Sequence, residues 1–182
     1  MFSRTDERIA PNTAIHLLVD LSGSMAGGND RTALEAAMAL ALALETIPGV
    51  SRAVTAFPGL SGQDDEVTRV VSHGGRVTTR AGAFVQYARG STPMTGALWF
   101  AVADLIPRRE ERKVILTLTD GSPNDWESAI EVIGKAGTAG IEVIGIGIQQ
   151  DVSQLFPVAI RIASVNDLKG ELFRIAERLL LT

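Results

Sequence analysis

The chain has 182 residues, of which 46% are apolar and 21% charged, enough to bury one substantial core but leaving no room for a second domain. A formal charge of −4 excludes the clustered basic footprint that nucleic acid requires. With no cysteine, disulfide frameworks, thiolate zinc sites and cysteine nucleophiles are excluded as well.

The N-terminal Met1-Phe2-Ser3-Arg4-Thr5-Asp6-Glu7-Arg8 lacks the apolar core of a signal peptide, and no apolar run reaches the roughly 20 residues of a membrane span. A cytoplasmic protein is the simplest expectation, with 1–182 forming one domain and 1–12 a flexible leading segment. Ile15 to Asp20 is almost continuously apolar, as a central strand covered on both faces must be. A turn at Met25 to Asp30 leads to a helix from about Arg31 to Thr46, where Thr32 and Glu35 have capping-box spacing and Pro48-Gly49 stops the pattern. Ala53 to Phe57 reads as the second strand. Glu66 to Ser72 reads as a short alternating one after a Gly/Asp-rich turn.

From Gly74 to Gly90 the pattern is poor, with one short helix expected around Ala81 to Ala88. A helix then runs from Thr92 or Thr95 to Ile106. The mixed-sign run Arg108 to Lys113 reads as a solvated loop ahead of a buried strand, Lys113 to Thr119. Asn124 or Asp125 is placed to cap a helix ending at Ala139. Glu142 to Ile148 and Phe156 to Ala163 are the last strands, before a closing helix from about Asn166 to Leu180. Strands alternating with helices predict an α/β fold of Rossmann-like, doubly wound type, with a mostly parallel sheet flanked by helices.

Three segments carry the chemistry. Asp20-Leu21-Ser22-Gly23-Ser24 follows the first strand and offers a carboxylate and two hydroxyls at alternating positions. Gly90-Ser91-Thr92-Pro93 precedes a helix, and Leu118-Thr119-Asp120-Gly121-Ser122-Pro123 follows another apolar strand. Magnesium prefers about six oxygens and keeps several waters, so small neutral hydroxyls with few carboxylates suit it. Taken singly, these residues are better explained as caps of turns and helix ends or acceptors from backbone N–H groups, and only as a set of five in this order do they point to a metal. In an open α/β sheet, ligands gather beyond the carboxyl ends of strands, where Asp20 and Asp120 both fall.

The three segments resemble the metal-ion-dependent adhesion site (MIDAS) of von Willebrand factor A (VWA) domains: D-x-S-x-S, a distant threonine and a distant aspartate. The resemblance runs from Ile15 to the C-terminal helix. It implies the VWA fold with one short antiparallel edge strand, and Mg²⁺ or Mn²⁺ held by Asp20, Ser22, Ser24, Thr92 and Asp120. It further implies that a protein partner's Glu or Asp completes the shell. Thr119 to Asp125 resembles the activators of nitric-oxide reductase (NorD-type), and Ile144 to Val152 the VWA subunit of cobaltochelatase (CobT-type). These work with AAA+ ATPases, so the resemblance implies an adaptor for such an ATPase, of MoxR type, with no role for nucleic acid or membrane.

An enzyme is the rival reading, in the form of a magnesium-dependent phosphohydrolase on a similar sheet. It lacks a second carboxylate two positions after Asp20, where Ser22 stands, and a phosphate-holding lysine in the three loops. Of the remaining residues, Trp99 and Trp126 are expected in the core, His16 as a satisfied packing residue and His73 as a solvated one, with no second histidine at ligand spacing.

Overall fold

The computed structural model describes residues 12–61 and 67–180. The expected flexible leader, Asn12 apart, and Glu66 with the turn before it lie outside the described residues. The elements are β1 (Thr13–Asp20), α1 (Asn29–Glu45), β2 (Val50–Phe57), β3 (Thr68–Val71), α2 (Met94–Leu105), β4 (Arg112–Thr119), α3 (Trp126–Thr138), β5 (Ile141–Ile148), β6 (Val158–Ile162) and α4 (Leu168–Leu180). They form one sheet in the order β3-β2-β1-β4-β5-β6, parallel throughout except that β3 runs antiparallel to β2 at one edge. Among the described residues, no helix is long and apolar enough to cross a membrane.

Successive strand side chains point to opposite faces, and β1 shows what each face buries. Ile15, Leu17 and Val19 pack with α1 and α4, whereas Ala14 and Leu18 pack with α2 and α3. A strand covered on both sides must be apolar at every position, and every residue of β1 is buried. The connection from β1 passes through α1 on one face and that from β4 through α3 on the other. The ends of these two neighbouring strands therefore form the topological switch point of the sheet.

Several expectations shift. The capping box does not form: α1 begins at Asn29 behind Gly28, whose φ of 112° only glycine adopts readily, and no side chain caps it. Thr32 Oγ1 instead donates to Gly28 O, and Glu35 pairs with Arg31 at 3.0 Å. The helix expected at 81–88 is a 3-10 helix at Thr78–Phe84, followed by chain without regular structure. Of the run at 108–113, Arg112 and Lys113 already belong to β4 and the rest is only partly solvated, because Arg108 clamps Glu110 through Nε and Nη2, the shorter bond being 2.8 Å. Burial alone would raise the Glu110 carboxyl, but the Arg108 guanidinium and further hydrogen bonds outweigh it and hold it down at about 2.

Neither tryptophan is in the core. On α2, Met94, Ala97, Leu98, Ala101 and Leu105 form the buried stripe, and Trp99, one step round the helix from Leu98, is 43% exposed with Lys135 Nζ 5.5 Å from its ring centroid. Trp126 opens α3 and is 37% exposed. His73 is the opposite case, since its side chain is buried where a solvated one was expected.

β5 makes a sharp test of packing. A Cβ on Gly147 would collide with the backbone carbonyl oxygen of Gln150, which cannot rotate out of the way as a side chain could. Gly147→Ala is expected to cost about 1–3 kcal/mol, seen as a fall of several degrees in the thermal midpoint, and an unchanged midpoint would contradict this packing.

Candidate metal centre at the carboxyl end of the sheet

Asp20 ends β1 fully buried, and both of its carboxylate oxygens accept hydrogen bonds: Oδ1 from Ser22 N at 2.8 Å and Oδ2 from Thr119 Oγ1 at 2.6 Å. The first bond folds the chain back on itself two residues later, which any aspartate at a strand end can do. The second ties β1 to β4. Burial raises the Asp20 carboxyl above its ordinary range, and the nearby Asp120 charge adds to this against the two hydrogen bonds.

Beyond Asp20 the hydroxyls run in a line. Ser22 Oγ lies 3.1 Å from Ser24 Oγ, and Ser24 Oγ donates to Asp120 Oδ1 at 2.7 Å. Ser22 is buried, Ser24 exposed and Asp120 half-buried, so the row climbs from core to surface. Ninety-six residues separate Ser24 from Asp120 in sequence. The switch point makes them neighbours.

Thr92 reaches the same place through its backbone. Its N–H donates to Asn124 Oδ1 and its carbonyl accepts from Asn124 N–H, both at 2.9 Å, which locks its loop to the one carrying Asp120. On the other side, Gly23 N–H donates to Gly90 O at 3.0 Å and Arg89 N–H to Leu21 O at 2.7 Å. Main-chain bonds thus tie the Thr92 loop to the loops of Asp20 and Asp120, and side-chain bonds join those two to each other.

Asp125 caps α3, accepting from Ser128 N–H at 3.0 Å, as its position predicts. The supports that sequence reasoning missed are Thr119, Asn124, Asp30 and Arg89. Asp30 is buried and accepts from Ala88 N–H at 2.8 Å, pinning the poorly patterned segment to the start of α1. The Arg89 guanidinium donates to Gly59 O, Tyr87 O, Pro58 O and Gln86 Oε1, holding the turn after β2 against the same segment. For the two charged residues, Asp30 in a polar turn and Arg89 between Ala88 and Gly90, nothing in the local sequence names the partner.

The side chains expected to bind a metal, three hydroxyls and two carboxylates, offer only oxygen. That chemistry fits a hard divalent cation and offers nothing to a soft one.

The family profile for the von Willebrand factor type A domain matches residues 14–177. The chain belongs to this VWA family. Among solved structures, the VWA chain resembles the pilus adhesin SpaC of Lactobacillus rhamnosus GG, with a TM-score of 0.76 and 16% identity over 93% of this chain and 30% of that one. It also resembles proximal thread matrix protein 1 of the mussel byssus, solved with a zinc-occupied MIDAS motif, with a TM-score of 0.74 and 18% identity over 94% and 46% of the two chains. The tip-protein domain of type V pili, Mfa5 of Porphyromonas gingivalis, gives a TM-score of 0.74 at 12% identity, over 94% and 95%. The chain thus spans about a third of the adhesin and under half of the byssus protein. The comparison with curated proteins gives no match.

Proposed function

We propose that this VWA domain is a divalent-metal-dependent protein-binding module whose ion is held by Asp20, Ser22, Ser24, Thr92 and Asp120. The observation that carries the reading is the stitching of three oxygen-bearing loops at the switch point, with a hydroxyl row ending at an accessible serine and a half-buried aspartate. When bound, Mg²⁺ or Mn²⁺ supplies an electrophilic vertex for an incoming carboxylate. The residues around it do the rest. Asp20 and Thr119 fix β1 against β4, Asn124 fixes the height of Thr92, and the serines offer neutral oxygens that leave positive charge uncancelled.

A partner needs more than one carboxylate to hold. Leu60, Val85 and Tyr87 are about 70% exposed or more, at 69%, 70% and 76%, and they flank the segment that Arg89 pins beside the site. With Trp126 at the head of α3 they give apolar and aromatic area of the kind that anchors interfaces. The byssus protein's zinc-occupied MIDAS supports a metal role on this fold. The finer reading rests on the sequence resemblance to NorD-type and CobT-type proteins. On that reading the domain is a cytoplasmic adaptor for a MoxR-type AAA+ ATPase, in remodelling or metal loading of a target enzyme. Binding rather than turnover is its task, and neither a positioned base nor a phosphate-holding lysine supports the phosphohydrolase alternative.

The test is capture of an acidic partner, for which a co-expressed MoxR-type ATPase is the first candidate. Ser22→Ala and Thr92→Ala are expected to weaken capture at least about tenfold, the scale of losing one or two charge-assisted contacts. EDTA should do the same, while the folded circular-dichroism spectrum is kept. Capture at unchanged affinity in EDTA and in both variants would place binding on another surface.

A further inference from the structure

On the face covered by α2, three residues of distant sequence meet. His16 lies between Ala14 and Leu18 on that face of β1, His73 comes from the turn after β3, and Asp104 from the end of α2. One ligand atom from each lies within 4.8 Å of the others. His16 is four residues before Asp20, about 13 Å along the strand, and the cluster shares no residue with the three-loop site.

His16 Nδ1 stands 3.2 Å from Asp104 Oδ2, and His73 Nε2 stands 3.5 Å from the same oxygen. Both nitrogens are buried, and neither completes a hydrogen bond. The two side chains are 1% and 2% exposed. A buried imidazole nitrogen ordinarily has a partner. Two of them stand 3.2 and 3.5 Å from a single carboxylate oxygen, so that the His16–Asp104 contact is at most a poorly aligned hydrogen bond and three ligand atoms surround one point. Donors on a tetrahedral zinc ion, at about 2.0–2.1 Å from the metal, stand roughly 3.3 Å from one another, close to the two nitrogen-to-carboxylate separations, while the two nitrogens lie within 4.8 Å of each other.

The outer nitrogens are arranged to suit this. His16 Nε2 lies 2.8 Å from Thr55 Oγ1 and His73 Nδ1 lies 3.0 Å from Ser51 Oγ. Each hydroxyl can accept an N–H, which leaves the lone pair of each ring on the inward nitrogen and fixes its orientation. The rings meet edge to face with centroids 5.7 Å apart, and Phe100 closes on His16 at 6.0 Å. Arg69 is seated over the Phe100 ring at 4.7 Å and disfavours the protonated form of His16. Asp104 is 28% exposed and, with Ser51, Arg108 and Glu110, lines a cleft of about 720 Å³, so the carboxylate side of the cluster faces open space.

We infer that His16, His73 and Asp104 form a second metal site, for a zinc-class transition ion, with its fourth position open toward this cleft. Two imidazoles and one carboxylate select borderline metals over Mg²⁺, so this site and the oxygen-only loops take different ions. Bound metal staples β1, the turn after β3 and the end of α2.

Titration of the full chain with Co²⁺, whose visible bands report tetrahedral nitrogen and oxygen ligation, is expected to show one equivalent bound and displaced by Zn²⁺. The bands should survive Asp20→Ala and excess Mg²⁺. His73→Gln and Asp104→Asn should each weaken binding more than tenfold, and Ser51→Ala about tenfold or more by freeing the His73 ring. Because the chain has two histidines, imidazole ¹⁵N NMR of the unmutated protein gives a reading independent of any variant's folding. Zn²⁺ should shift His16 Nδ1 and His73 Nε2. Ring resonances unmoved by a full equivalent of Zn²⁺, or cobalt bands lost in Asp20→Ala, would overturn the assignment.

Discussion

Asp20→Asn is expected to cut affinity for Mg²⁺ or Mn²⁺ by about 10–100-fold, the range for groups that hold a metal through its outer ligands. The same change is expected to raise the metal-free thermal midpoint at neutral pH. Burial, with help from Asp120, raises the Asp20 carboxyl in the folded protein above its unfolded value of 3.8. The folded state therefore holds this proton to higher pH than the unfolded state, so the contribution of Asp20 to stability falls as pH rises from 3.8 through the folded value. At neutral pH the buried charge is a standing cost that a bound cation offsets. Asparagine keeps the shape, and its carbonyl can still accept from Ser22 N–H, without the charge. Calorimetry gives the affinity, and melting curves in EDTA give the second effect. An unchanged affinity, or a lower apo midpoint at pH 7, would mean that Asp20 is a structural cap alone.

The metal-free domain should also lose stability as the pH falls from 6.5 toward 4. Burial pushes the His73 imidazole down from 6.5 to about 4, with Arg108 and His16 adding to the shift against the Asp104 and Glu110 carboxylates. His16 is lowered too, first by burial and then by Arg69, against its contact with Asp104. In this window the unfolded chain takes up protons that the folded chain refuses, so stability is complete above about pH 6.5 and declines as pH falls toward 4. For His73 the loss is on the order of 3 kcal/mol, a large share of a typical domain's stability. A lower window belongs to Glu110, held down at about 2, whose contribution is present above 4.5 and fades below it. Urea denaturation in EDTA between pH 4 and 7 measures the first effect. His73→Gln should flatten the slope between pH 6.5 and 4, and an equally steep slope in that variant would assign the titration elsewhere.

Period and strand-end chemistry determined most of the fold directly. β1, β4 and β5 were readable because a strand buried on both faces must be apolar throughout, and α3 because Asp125 stands where a cap must stand. Asp20, Ser22, Ser24, Thr92 and Asp120 were legible as a set of oxygen donors through spacing and family resemblance. Their convergence belongs to the tertiary structure, since the Ser24–Asp120 bond exists only because β1 and β4 are neighbours at the switch point. Local rules failed where a competing partner or the packing of a face outweighed them. Glu35 pairs with Arg31 instead of capping α1, and Trp99 faces outward because the buried stripe of α2 is set one step round the helix. The meeting of His16 with His73 and Asp104 was hidden most deeply. Each is a lone polar residue in its own segment, and only the packing of β1, the turn after β3 and α2 makes them neighbours, because no periodicity encodes contacts between elements so far apart in the chain.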